Sequence, residues 1–220
     1  ISARMDLVRA QQENLSVTKS VTLPAWLNKL AMEAKVNFSQ VLQEALKADV
    51  APEVVQEILY QGVAYLGFAR VAPFFEATNK VLDARRIKRP LPARATTTSD
   101  DRLQKGNQAQ IDIFGERMRN FAESGPEDSR HINRWLAANC FGDYYTRKPL
   151  DLRERELLTF CYIAAQGGCD PQLTAHASGN LRSGNSKDLL ISVISANIPF
   201  VGYPRSLNAL RCVREAVKMQ

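Results

Sequence analysis

The stretch that decides the fold runs Arg153-Glu154-Arg155-Glu156-Leu157-Leu158-Thr159-Phe160-Cys161-Tyr162-Ile163-Ala164-Ala165-Gln166, then Gly167-Gly168-Cys169-Asp170-Pro171-Gln172-Leu173-Thr174-Ala175-His176. Its first half reads as a helix. Leu157, Leu158, Phe160, Cys161, Ile163, Ala164 and Ala165 leave no wide polar face, so this helix is expected to be buried. Gly167-Gly168 ends it, since glycine is the usual residue past a helix C-terminus. Asp170-Pro171 restarts the chain, with Asp as N-cap and Pro at the first helical position. A buried helix hairpin that carries Glu156, Cys169 and His176 is where chemistry is expected.

Geometry limits which of these groups can meet. In a helix over 155–166, Glu156 lies about 16 Å along the axis from the glycine turn. If the next helix folds back antiparallel, His176 lies roughly 8–10 Å from that turn. The remaining axial offset is one that two side chains or one water can span. Glu156 and His176 thus form a candidate carboxylate–imidazole pair, in which burial disfavours both charges and mutual attraction favours them. Such a pair suits general acid–base work; the alternative is a structural hydrogen bond inside a helix bundle. Cys169 sits at the turn, farther from both. It reads either as a lone thiol favoured by the helix N-terminus beside it or as a small residue packed in a turn. Cys161 and Cys212 fall on apolar helix faces and read as core, and His131 reads as a surface histidine.

At 220 residues, the chain can form one good domain or two small ones and can bury a core without disulfides. No run of 18 or more apolar residues is present, so no membrane span is expected. The opening Ile1-Ser2-Ala3-Arg4-Met5-Asp6 does not read as a signal peptide. The four cysteines lack C-x-x-C pairing. They are expected to be reduced, the protein cytoplasmic, and the site free of metal and cofactor. The net charge of +6 owes much to Arg85, Arg86, Lys88, Arg89 and Arg94. These fall in 83–101, a Pro-containing linker without interleaved aromatics, so no nucleic-acid partner is expected there.

Upstream, Val17, Val21 and Leu23 alternate with Thr18, Ser20 and Thr22, which predicts a strand at 16–23. Two helical stripes follow within 24–50. Pro52 opens another helix, interrupted at Gly67. Set against the end of the chain at one offset of 135 residues, Ala45 meets Asn180, Leu46 meets Leu181 and Ile58 meets Val193. At the same offset Val63 meets Ile198, Tyr65 meets Phe200, Gly67 meets Gly202, Phe68 meets Tyr203 and Arg70 meets Arg205. One offset over this length predicts an internal repeat. The first copy lacks the chemistry, since Val21, Ala34 and Val41 stand opposite Glu156, Cys169 and His176. Farther along, Ile111, Phe114, Met118 and Phe121 predict one helix, broken at Ser124-Gly125-Pro126-Glu127. Ile132, Trp135, Leu136 and Cys140 predict the next. The apolar positions Leu207, Leu210, Val213 and Val217 predict a face buried against a partner.

Several runs together resemble the carboxymuconolactone decarboxylase family, which includes the alkylhydroperoxidase D-like proteins. They are Arg102-Leu103-Gln104-Lys105-Gly106, Phe141-Gly142-Asp143-Tyr144-Tyr145-Thr146-Arg147, Leu150-Asp151-Leu152-Arg153, Arg155-Glu156-Leu157-Leu158, His176, Gly179-Asn180-Leu181, Phe200-Val201-Gly202-Tyr203-Pro204-Arg205 and Leu207-Asn208-Ala209. The resemblance implies an all-α fold of two alkylhydroperoxidase D-like repeats. The division is a degenerate repeat at 1–82, a linker at 83–101 and an intact repeat at 102–220. It implies a homo-oligomer, a trimer or hexamer, acting on a small molecule. The peroxidase pattern is a Glu, then C-x-x-C, then His four residues after the second Cys. Glu156, Cys169 and His176 match, but Gln172 replaces the second cysteine, which removes the dithiol. The decarboxylase branch, a carboxy-lyase acting on a carboxylated lactone, needs no cysteine and is favoured over the peroxidase. Arg153, Arg155 or Arg205 would hold substrate carboxylates there. Residues 15–50 also resemble the C-terminal part of HicB-type antitoxins, a ribbon-helix-helix module that binds DNA. That is the rival reading of this segment.

Overall fold

The computed structural model describes residues 45–220. The chain is all-α, and no strand is present among the described residues. The strand expected at 16–23, and nearly all of the ribbon-helix-helix-like segment 15–50, lie outside them. In chain order the helices are α1 (Pro52–Leu66), α2 (Phe68–Ala84), α3 (Arg102–Phe114), α4 (Arg130–Trp135), α5 (Leu152–Gln166), α6 (Asp170–Arg182) and α7 (Lys187–Lys218). A π-helical segment, Leu136–Tyr145, continues α4. No helix among the described residues is long and apolar enough to cross a membrane.

α5 is the central element. Asp151 caps it in a reciprocal capping box with Glu154, and Gly167, at φ 69°, ends it. Every residue from Arg155 to Ala165 is buried. Its apolar side packs with Leu173 and Ala177 of α6 and with Leu190, Val193, Ile194, Ala209, Cys212 and Val213 of α7. On another side Leu158 and Tyr162 pack with Ile58 of α1. Cys161 and Cys212 lie in this core. Val213 does too, so the face expected to await a partner is only partly open: Leu207 and Val217 are exposed and Val213 is not.

Local registers depart from the expected ones in three places, each for a physical reason. α3 stops at Phe114 because Gly115 takes φ 91°, ψ 177°, and two short 3-10 turns follow; the helix does not run on to Phe121. α6 starts one residue early, with Cys169 at the capping position and Asp170 inside the first turn. The stripe Ile132, Trp135, Leu136 and Cys140 does not face one core. The first three are exposed, whereas Ala137, Cys140, Phe141 and Tyr145 are buried. π-helical winding bonds residues five apart, so the inward face follows a spacing that an α-helical count misses.

Backbone features from 45 to 84 recur 135 residues later. Val50 N–H donates to Ala45 O at 3.1 Å, and Asn185 N–H donates to Asn180 O at 2.9 Å. Asp49 has φ 58° and Gly184 has φ 92°. α1 starts at Pro52 and α7 at Lys187. Gly67 (φ 84°, ψ 145°) separates α1 from α2, and Gly202 (φ 77°, ψ 166°) kinks α7.

The linker strand of coil before α3 is pinned rather than loose. Thr96 and Thr97 hydroxyls donate to the carbonyls of Thr146 and Gly142, and Arg94 O accepts from Lys148 N–H. α3 and the π-helix touch backbone to backbone through two glycines. A Cβ on Gly106 would sit 1.9 Å from Ala137 O and 2.6 Å from Gly142 N. Gly106→Ala is therefore expected to destabilise the protein by about 3 kcal/mol, because the obstacle is main chain and cannot rotate away. Urea denaturation checks this; a change within about 0.5 kcal/mol would contradict the close approach.

Candidate active site

The site lies where α5, α6, α3, α1 and the π-helix converge. Glu156, fully buried on α5, accepts from His176 Nδ1 of α6 at 3.0 Å (Oε2) and 3.2 Å (Oε1). Gly179 makes this approach possible, since a Cβ there would lie 2.5 Å from Glu156 Oε2 and 2.8 Å from Ile113 Cγ2. Asn180 fixes the register of α5 and α6. Its Nδ2 donates to the carbonyls of Glu156 and His176, both at 2.8 Å, and Asn185 Nδ2 donates to Asn180 Oδ1 and Arg153 O.

Aromatic rings enclose the imidazole. Phe114 of α3 and Tyr65 of α1 meet it edge-on, with centroids at 5.2 and 5.8 Å. The side chain keeps about 10% of its surface open. With Nδ1–H given to Glu156, the lone pair belongs to Nε2, which has no hydrogen-bond partner among the described residues. Glu156 has one further donor, the Tyr145 hydroxyl at 2.8 Å from Oε1.

Of the residues singled out from sequence, Glu156 and His176 are brought into direct contact and the others are not brought to them. Cys169 stands at the start of α6, about 10 Å along the axis from His176, and its sulfur accepts from Gln166 Nε2. Gln172, one turn before His176, is exposed. Arg153 is exposed, with Nε on Asn185 Oδ1. Arg205 lies over the glycine turn, its Nε 3.0 Å from where a Gly167 Cβ would be. Arg155 is fully buried on the side of α5 that faces α1. It donates to Glu57 Oε2 (3.0 Å), Gln61 Oε1 (2.9 Å) and Arg147 O (2.8 Å). Its guanidinium is thereby committed to tying α1 to α5. Burial pulls it below the usual arginine range, and Glu57 opposes that. His131 is exposed, edge-on to Trp135.

Other residues at the site were not legible as such. Tyr145 lies within the Phe141–Arg147 run, so the resemblance was its only signal. Tyr65, Thr159 and Gln61 gave none, because their roles depend on how α1 docks. Cys140 is the thiol of this region, and its Sγ donates to Tyr65 Oη at 3.4 Å. Burial pushes it up to about 12, so at neutral pH it is a protonated donor and not a thiolate. Among the described residues, no group of three or more His, Cys, Asp or Glu side chains could hold a metal ion.

Gln110 of α3 is fully buried, and neither polar atom of its amide has a partner. It lies one turn before Phe114, on the same buried helix face. Removing an unpaired buried amide relieves its desolvation cost, so Gln110→Leu is expected to leave stability unchanged or to raise it by about 1 kcal/mol. Thermal unfolding followed by circular dichroism reads this. A loss of more than about 2 kcal/mol would mean that the amide is satisfied.

Residues 131–215 match the sequence model of the carboxymuconolactone decarboxylase family. No curated protein matches the chain.

Proposed function

Residues 131–215 form a domain of the carboxymuconolactone decarboxylase family, and from that premise we propose that the chain is an enzyme whose acid–base centre is His176, held by Glu156. The observation that carries this is the pairing of His176 Nδ1 with the buried Glu156 carboxylate, which leaves Nε2 as the ring's outward, basic atom. An imidazole oriented in this way takes a proton at Nε2 and returns it in the next step. The reaction class is decarboxylation of a small carboxylated, lactone-type substrate. The bond from carbon to carboxylate breaks, carbon dioxide leaves, and the electron pair delocalises into the lactone. Nε2–H of the imidazolium then protonates that carbon, giving the enol-lactone.

A thiol peroxidase is the weaker reading. Gln172 occupies the place of a second cysteine, Cys169 is a helical turn and a half beyond hydrogen-bond reach of His176, and Cys140 is held protonated. The recurrence at 135 residues supports a chain built of two copies of one helical unit, the first without the acid–base pair. Exposed Phe68 and Tyr203, at matching positions of the two units, support self-association as a trimer or hexamer.

Two assays separate the branches: carbon dioxide release from carboxylated lactones, and reduction of organic hydroperoxides with a dithiol reductant. His176→Ala is expected to lower lactone turnover by about 10²–10⁴-fold, while Cys169→Ser leaves it unchanged. Peroxide reduction abolished by Cys169→Ser, without lactone turnover in the parent protein, would replace the decarboxylase reading with the thiol one.

A further inference from the structure

Behind Glu156 the donors form one connected chain, and its protons run in one direction. Arg155 Nη1 donates to Gln61 Oε1 at 2.9 Å, which fixes the orientation of that amide. Gln61 Nε2 therefore faces Thr159 and donates to its Oγ1 at 2.8 Å. Thr159, having accepted there, has its own proton to give, and Tyr145 Oη lies 2.6 Å away. From the other side, Cys140 donates to Tyr65 Oη at 3.4 Å, and Tyr65 donates to Tyr145 Oη at 3.2 Å. Tyr145 thus accepts twice, and its single proton goes to Glu156 Oε1 at 2.8 Å. Burial raises both tyrosines well above their ordinary range, so both remain donors. Each group passes one hydrogen bond on, and the carboxylate receives the last.

Two members of this chain, Gln61 and Tyr65, belong to α1, in the part of the molecule whose sequence lacks the Glu and the His. The π-helix places Cys140 and Tyr145, five residues apart, on one inward face. We propose that Tyr145 is the positioning residue of the site, setting the charge that Glu156 presents to His176, and that the N-terminal unit acts on the chemistry through Tyr65 and Gln61 converging on Tyr145. This gives the unit without catalytic groups a function in the site of the other. The proposal rests on the acid–base reading of His176, but its test needs no substrate.

Among the described residues, the titratable groups around the pair are Tyr145 and Cys140 from the π-helix and Tyr65 from α1, while α3 presents Ile113 and Phe114 without charge. Tyr145 competes with His176 for the negative charge of Glu156. Without its hydroxyl, more of that charge is available to the imidazolium, so the ring should hold its second proton to higher pH. The chain has two histidines, so NMR of the full-length protein can follow His176 directly, with His131→Gln to assign the signals. In Tyr145→Phe, the pH at which His176 takes up its second ring proton is expected to rise by roughly half to one unit, the equivalent of one hydrogen bond. Tyr65→Phe should shift it the same way by less. Tyr144→Phe, its neighbour outside the chain of donors, should not shift it.

An unchanged or lowered midpoint in a folded Tyr145→Phe would overturn the proposal. If that variant fails to fold, Tyr65→Phe decides by the same criterion. A raised midpoint in a protein that turns over no lactone supports the relay and removes the enzyme reading. Turnover lost in His176→Ala, with no shift in Tyr145→Phe, does the reverse.

Discussion

A carboxylate with no exposed surface must be given donors, because an unpaired buried charge costs several kcal/mol. Glu156 is such a group, and the arrangement around it follows from that need. Its donors come from α6, through His176, and from the π-helix, through Tyr145. For α6 to come close enough, residue 179 must be glycine. For the π-helix to come close enough, α3 must press against it through Gly106 and Gly142. Even the unusual winding of Leu136–Tyr145 serves this, since it turns both Cys140 and Tyr145 inward. The same pairing that makes the burial tolerable orients the imidazole. Stability and chemistry here depend on one contact.

One residue earlier, Arg155 sets the second constraint on α5. Successive residues of a helix point about 100° apart, so Arg155 faces α1 while Glu156 faces α6. Arg155 meets Glu57 there, and Arg147 meets the same carboxylate at 2.8 Å. Gln61, one turn after Glu57, meets Thr159, one turn after Arg155. α1 therefore docks on α5 through two polar layers in register, reinforced by the Tyr162 hydroxyl on Ile58 O at 2.7 Å. Breaking a buried pair of this kind is expensive, whereas its net contribution when intact is small. Its effect is to specify one register of docking, and that register brings Tyr65 to the edge of His176.

Much of the second half was legible in the sequence. The apolar run after Glu156, the Gly167-Gly168 stop and the change of direction before His176 marked a buried hairpin, because they rest on local propensity and capping. The 135-residue offset was visible because glycine positions and apolar spacing survive even where the chemistry is lost. What could not be read were features decided by tertiary packing. Arg155 resembled a free guanidinium because charged residues surround it in sequence; only the docking of α1 shows that it is engaged. Cys140 was placed on an α-helical stripe with Ile132 and Trp135, and a π-helical segment has no local sequence signature that separates it from an α-helix. Tyr65 and Tyr145 carry no signal as a pair, being 80 residues apart.

The central claim is that Glu156 takes the Nδ1 proton of His176 and leaves Nε2 free for the reaction. The neutral imidazole has two tautomers, and long-range proton–nitrogen correlation spectra distinguish them. The account predicts that neutral His176 is protonated at Nδ1 in the parent protein and loses that preference in Glu156→Gln. A His176 ring protonated at Nε2 in the parent protein would mean that its basic nitrogen points into the bundle, and would contradict the account.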